Sequence, residues 1–169
     1  MKLRRAAQAA SPRGFSLIEL LIVIAIILVI AGLAIPSFLR SKMRANEAAV
    51  AGALRSITTA NETYLTTYGR GYAPDLATLA PPPAGTAPSA TASGLIDPVL
   101  ASGTRNGYNF IYAAVDTDGN GQPDQYTVNA NPVQVGTSGE KYFYVDHTNV
   151  IREKLGGPAD ATSPPIPKQ

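Results

Sequence analysis

The first chemistry implied by this chain is a single carboxylate at the head of an apolar run. In Arg13-Gly14-Phe15-Ser16-Leu17-Ile18-Glu19-Leu20-Leu21-Ile22, and onwards to Ile35, only Ser16 and Glu19 interrupt apolar or small residues after Gly14. Residues 15–35 as a helix rise about 31 Å, enough to cross a hydrocarbon layer of roughly 30 Å. An ionised side chain costs on the order of 2.5–3.5 kcal/mol at the centre of such a span and less near its end. Glu19 therefore calls for a partner.

A second candidate lies downstream, in Asp116-Thr117-Asp118-Gly119-Asn120-Gly121-Gln122-Pro123-Asp124. Counted from Asp116, oxygen side chains fall at alternate positions through Asn120. Gly121 permits a sharp turn, the Gln122 carbonyl could contribute, and Asp124 follows. This resembles the front of a calcium loop, and ligation by oxygen alone suits a hard cation. Against Ca2+, Thr127 stands where such a loop carries its bidentate Glu, no flanking helices are predicted, and Asp-Gly-Asn-Gly is itself a strong hairpin turn. Both readings stand, with the solvated turn first.

Other constellations are thin. His147, the sole histidine, lies in Asp146-His147-Thr148-Asn149 between two strand candidates and reads as a turn residue. There is no G-x-S-x-G and no phosphate loop, and Gly69-Arg70-Gly71 is too sparse for a nucleotide cradle. Nothing converges on a catalytic set, so no enzyme is predicted. Arg40, Lys42 and Arg44 read as a solvated face meeting headgroups or neighbouring acids such as Glu47. Asn61-Glu62-Thr63 matches a glycosylation sequon but falls within a predicted helix and reads as chance.

Composition bounds the elements that must position these residues. A chain of 169 residues has room for one modest domain beside the apolar helix. Its net charge of +2 is a property of the first 14 residues: Lys2, Arg4, Arg5 and Arg13 lie there, leaving 10 basic against 12 acidic side chains. Nucleic-acid binding is not predicted. The absence of cysteine excludes disulfides, thiol catalysis and thiolate metal sites.

Beyond Pro36 the pattern changes from wholly apolar to amphipathic. Leu39, Met43, Val50, Leu54, Ile57, Tyr64, Leu65 and Tyr68 fall on one face at 3.6 residues per turn, with Gly69 or Gly71 as a stop. Residues 37–68 are thus the outer half of one helix, with its stripe set to hold a sheet. The 80–94 stretch, rich in Pro, Ala and Ser, reads as an exposed loop, with short helical turns at 75–79 and 95–100 on either side. Strands are predicted at 108–115, 125–129, 141–146 and 150–153, forming a three- or four-stranded antiparallel sheet in a domain spanning 69–155. Residues 156–169 read as a flexible tail. The fold class is α+β.

An ordinary secretory signal does not fit the N-terminus. The apolar run is long, carries Glu19, and offers only a loose small-residue site at Gly32-Leu33-Ala34 before Pro36. A signal anchor fits better. The short basic leader ending in Gly14, followed by Phe15-Ser16-Leu17-Ile18-Glu19-Leu20-Leu21, resembles the class III signal of type IV prepilins and type II secretion pseudopilins. The resemblance covers about the first 50 residues. It implies a leader at 1–14, removal of that leader by a prepilin peptidase after Gly14, methylation of Phe15, and a span at 15–36 that later becomes filament core. It assigns Glu19 to pairing with the Phe15 amine of a neighbouring subunit and Pro36 to a helix bend.

The implied partners are further copies of the same chain in a helical filament, the peptidase, and an inner-membrane assembly machinery. The implied location is the inner membrane first, as a single-pass precursor, and then an extracellular pilus or a periplasmic pseudopilus. A pilin serving adhesion, motility or DNA uptake is the first reading and a pseudopilin the second. A membrane-anchored calcium- or ligand-binding module that never polymerises is the reading from another class.

Overall fold

The computed structural model describes residues 14–167. The leader residues before Gly14 lie outside them. The chain divides into two compact units with the boundary between Phe38 and Leu39. Helix α1, Leu17–Tyr68, contributes to both.

The first unit is apolar helix with no cover from its own chain. Its large side chains from Phe15 to Phe38 are 44–78% exposed. Pro36 lies inside α1, and the helix continues through it. Proline has no N–H, so the carbonyl four residues earlier, on Gly32, loses its usual helical donor. Glycine at that position also leaves open space, since a Cβ there would meet nothing within 4 Å.

In the second unit α1 does what its stripe predicts. Val50, Leu54 and Ile57 are fully buried and Tyr64 nearly so, packed on residues from a five-stranded antiparallel sheet. The strands run in sequence order, β1 Thr104–Arg105, β2 Tyr108–Val115, β3 Gln125–Pro132, β4 Lys141–Asp146 and β5 Arg152–Leu155. Tyr108 and Phe110 of β2, Tyr126, Val128 and Ala130 of β3, and Phe143 and Val145 of β4 face α1. Register runs from Tyr108 opposite Pro132 to Val115 opposite Gln125, so β2 and β3 make one hairpin tipped by residues 116–124. Helix α2, Pro98–Ala101, is a single turn capped by Asp97, whose carboxylate accepts from the Val99 and Leu100 amides.

The α+β expectation of a long helix packed on a small antiparallel sheet holds. Three details differ. The sheet has a fifth strand, β1, whose two residues are too few to show a period. β3 runs on to Pro132, and β5 begins at Arg152 rather than Val150. The third concerns the segment expected to fray. Between Gly156 and Pro167 it turns back on the sheet: the Glu153 amide donates to Pro164 O, the Ile166 amide to Ile151 O, and Arg152 Nη1 to Ser163 O. Ala159 is buried and Ile166 packs against the core. Its prolines stop helix formation without preventing extended pairing at a sheet edge.

The core contains one polar hub. Asn61, fully buried on α1, donates to Ile57 O; its Oδ1 lies 3.2 Å from the Ala73 amide and 2.9 Å from the Tyr112 hydroxyl. That hydroxyl also lies 2.7 Å from Ala73 O. One side chain thereby joins the helix, the chain leaving it and β2. Close approach fixes another contact, since a Cβ on Gly139 would stand 1.9 Å from Tyr108 Oη.

Three substitutions test this core in the second unit, read by urea unfolding. Asn61→Ala strands the buried Ala73 amide and lowers stability by about 2 kcal/mol, whereas Tyr112→Phe leaves that amide its partner and costs about 1 kcal/mol. Gly139→Ala forces Tyr108 out of place and destabilises by about 1–3 kcal/mol, as overpacking does.

Candidate functional site

Gly14, Phe15 and Ser16 precede the helix in irregular, exposed backbone. The bond between Gly14 and Phe15 is therefore open, and Phe15 is 78% exposed. Ser16 occupies the position before α1, and its carbonyl accepts from the Leu20 amide. Glu19 turns back over this end: its Oε2 accepts the Ser16 amide at 2.8 Å. Four amides at a helix start have no partner within the helix, and a carboxylate there satisfies one of them while meeting the positive end of the helix dipole.

Glu19 thus has a donor within its own chain. Ser16-x-x-Glu19 is the spacing of a capping box. That spacing is present in the sequence, beside the expectation that Glu19 pairs with the Phe15 amine of a neighbouring subunit. The geometry puts the carboxylate one residue from the nitrogen that cleavage before Phe15 would free.

The Asp116–Asp124 loop tips the β2–β3 hairpin. Its carboxylates are turned onto the loop itself. Asp116 accepts from the Gly119 and Gly121 amides at 2.8 and 2.7 Å, Asp118 from the Asn120 amide and side-chain amide, and Asp124 from the Thr117 amide and hydroxyl. Asn120 Oδ1 accepts from the Gln122 amide. The Gly121 amide, with the other loop amides, holds the Asp116 carboxyl below its usual pKa, and the Thr117 hydroxyl does the same for Asp124. Among the described residues no group of three or more His, Cys, Asp or Glu is placed to hold a metal ion. The residues expected for calcium, Asp116, Asp118, Asn120, Gln122 and Asp124, all lie in this loop, where the side-chain oxygens of Asp116, Asp118, Asn120 and Asp124 accept hydrogen bonds from within it.

The other candidates take definite places. His147 lies in the turn after β4, its amide donating to Tyr126 O. Asn61 is the core hub described above and inaccessible to a glycan. Glu47, expected as a partner for the neighbouring bases, instead accepts the Glu140 and Lys141 amides at 2.9 and 3.2 Å, while Asn46 donates to Ser138 O. These contacts pin the start of β4 to the helix. Arg40, Lys42 and Arg44 stay exposed, outside the ion pairs found among the described residues: Arg105–Asp97, Lys141–Glu153 and Lys154–Asp160.

Residues 10–35 match the family described as the prokaryotic N-terminal methylation motif, the signature of type IV pilins and pseudopilins. No curated protein and no solved structure matches the chain. Within the matched stretch α1 is long and apolar enough to cross a membrane, and none of its most apolar 18 residues is buried. Motif and helix together fit a membrane-anchored precursor.

The loop makes a pH-dependent prediction. Asp116 and Asp124 have lowered pKa values in the fold, so their contribution is complete above the ordinary value of 3.8 and is lost as pH falls through the lowered values. Protection of the Thr117, Gly119 and Gly121 amides, read as exchange relative to the unprotected rate at the same pH, is expected at neutral pH with a chelator present. It should give way below pH about 3.8.

Proposed function

We propose that this chain, which carries the type IV pilin and pseudopilin signature at residues 10–35, is the precursor of a type IV pilus subunit. A prepilin peptidase cuts between Gly14 and Phe15 and methylates the Phe15 amine. The processed chain then leaves the inner membrane through an assembly machinery and polymerises with further copies into a helical filament for adhesion, motility or DNA uptake. The role is structural rather than catalytic.

The observation that carries this reading is the uncovered helix beside the motif. Side chains on every face of α1 from Phe15 to Phe38 remain exposed, so their apolar surroundings must come from elsewhere. Lipid supplies them for the precursor and neighbouring helices supply them in the polymer. In lipid, association depends on packing and satisfied polar groups, and Ala25, Ala31, Gly32 and Ala34 let helices approach closely. A heterologous contact that does not close generates an open filament.

Glu19 fits both settings. In the precursor it accepts the Ser16 amide. In the polymer it pairs with the Phe15 amine of a neighbour, a charge match that selects register more than it adds stability. Pro36 serves as the bend that fits the helix to its neighbours.

Mass spectrometry of sheared surface filaments tests the processing. A chain beginning with N-methylated Phe15 is the expected result. The same processed chain found only in the inner membrane or periplasm would assign it to a pseudopilus, and an unprocessed chain would leave a non-polymerising anchored module. Glu19→Leu is expected to leave membrane insertion intact while lowering filament yield about ten-fold or more, the consequence of losing at least 1.4 kcal/mol per subunit contact. Filaments at normal yield would remove the pairing role.

A further inference from the structure

The second unit has opposite charges at its two ends. Arg40, Lys42 and Arg44 sit where it begins, exposed and outside the ion pairs described above, while Glu47 accepts the β4 amides through Oε1. Arg40 and Arg44 line an open groove of about 540 Å³ with Met43, Lys141, Leu155 and two acids, Glu47 and Glu140. The other end lies at the C-terminus of α1. There the Tyr72 amide donates to Pro123 O at 2.7 Å, holding the 116–124 loop against the chain that leaves Tyr68.

In that loop Asp118 and Asp124 are exposed and Asp116 is half-buried, and Arg70 lines a groove with Asn120, Gly121, Gln122 and Pro123. Hydrogen bonds to loop amides hold the carboxylates in place, and each carboxylate oxygen retains capacity for a further donor. From Lys42 to Tyr68 the helix rises about 39 Å.

We propose that these ends are the two halves of one contact between copies of this chain. The Asp116–Asp124 loop of one subunit docks on the Arg40, Lys42 and Arg44 belt of another displaced along the helix direction by about 39 Å. The occupant is a second copy for two reasons. The charges are complementary within a single sequence, and the belt continues directly from the apolar segment that assembly already brings together. An open head-to-tail filament contains copies at every multiple of its axial step, so one surface can meet the other without a two-fold axis. The loop's own amides hold its anionic side chains in place before contact, which lowers the ordering cost of docking. This contact rests on the filament reading above.

The chain has no cysteine, which makes the test clean. Lys42→Cys and Asp118→Cys in one full-length chain, oxidised in assembled filaments, are expected to give a ladder of dimers, trimers and longer species on a non-reducing gel. Either single variant should give no ladder. Normal filaments that yield only monomer would overturn the contact while leaving the filament reading intact; wild-type cells without filaments would overturn that reading itself.

A charge exchange covers the case in which the cysteine chain fails to assemble. Lys42→Glu or Asp118→Lys alone should lower filament yield about five-fold, in line with the upper range for exposed ion pairs, and the two together should restore it. If the double variant stays as poor as Lys42→Glu, the belt serves anionic headgroups and the proposal fails.

Discussion

The structure depends on a backbone constraint. In a medium without water every amide and carbonyl must be satisfied within the segment, and a continuous helix does this without help from any neighbour. The apolar half of α1 can therefore keep its backbone paired although its side chains have no cover from the rest of the chain. Its weak points are the places where the ladder is incomplete. At the start, Glu19 serves one of the open amides; at Pro36 a donor is missing, opposite a glycine. Both sites are where a sequence that is otherwise uniformly apolar departs from uniformity.

The outer half of the same helix meets the opposite requirement. There the chain supplies its own cover, so burial can be selective. Val50, Leu54 and Ile57 bury apolar surface against the sheet, while Asn61 buries an amide that only one arrangement of Ala73 and Tyr112 satisfies. Apolar contacts tolerate small displacements. A buried amide with assigned partners does not, so the hub fixes how the helix, its exit segment and β2 meet. Asn46 and Glu47 do the same at the other end of the sheet, using side chains to hold the backbone where β4 begins.

Legibility in the sequence followed the length of each signal. The long helix, the stripe through Val50, Leu54, Ile57 and Tyr64, and strands β2 and β4 were readable because their periods repeat several times. β1, with two residues, carries no period, and its pairing comes from tertiary context. The terminal segment departs from the expected tail because its proline content argues only against helix, while its carbonyls and remaining amides suit a sheet edge. At the candidate site the motif around Gly14 and Phe15 was fully legible. The return of Glu19 to Ser16 was legible in principle through its three-residue spacing. The commitment of Glu47 to the Glu140 and Lys141 amides was not, because more than 90 residues separate the partners.

The return of residues 164–166 along β5 has a consequence for crowding. An open strand edge offers amides and carbonyls that pair with any other edge, whatever the side chains. Here the Glu153 amide and the Ile151 carbonyl are already taken. At this flank a neighbouring molecule therefore finds side chains rather than bare peptide groups. Contact there can discriminate between sequences, and a surface packed densely with copies of the same sheet is protected on that side from indiscriminate fusion.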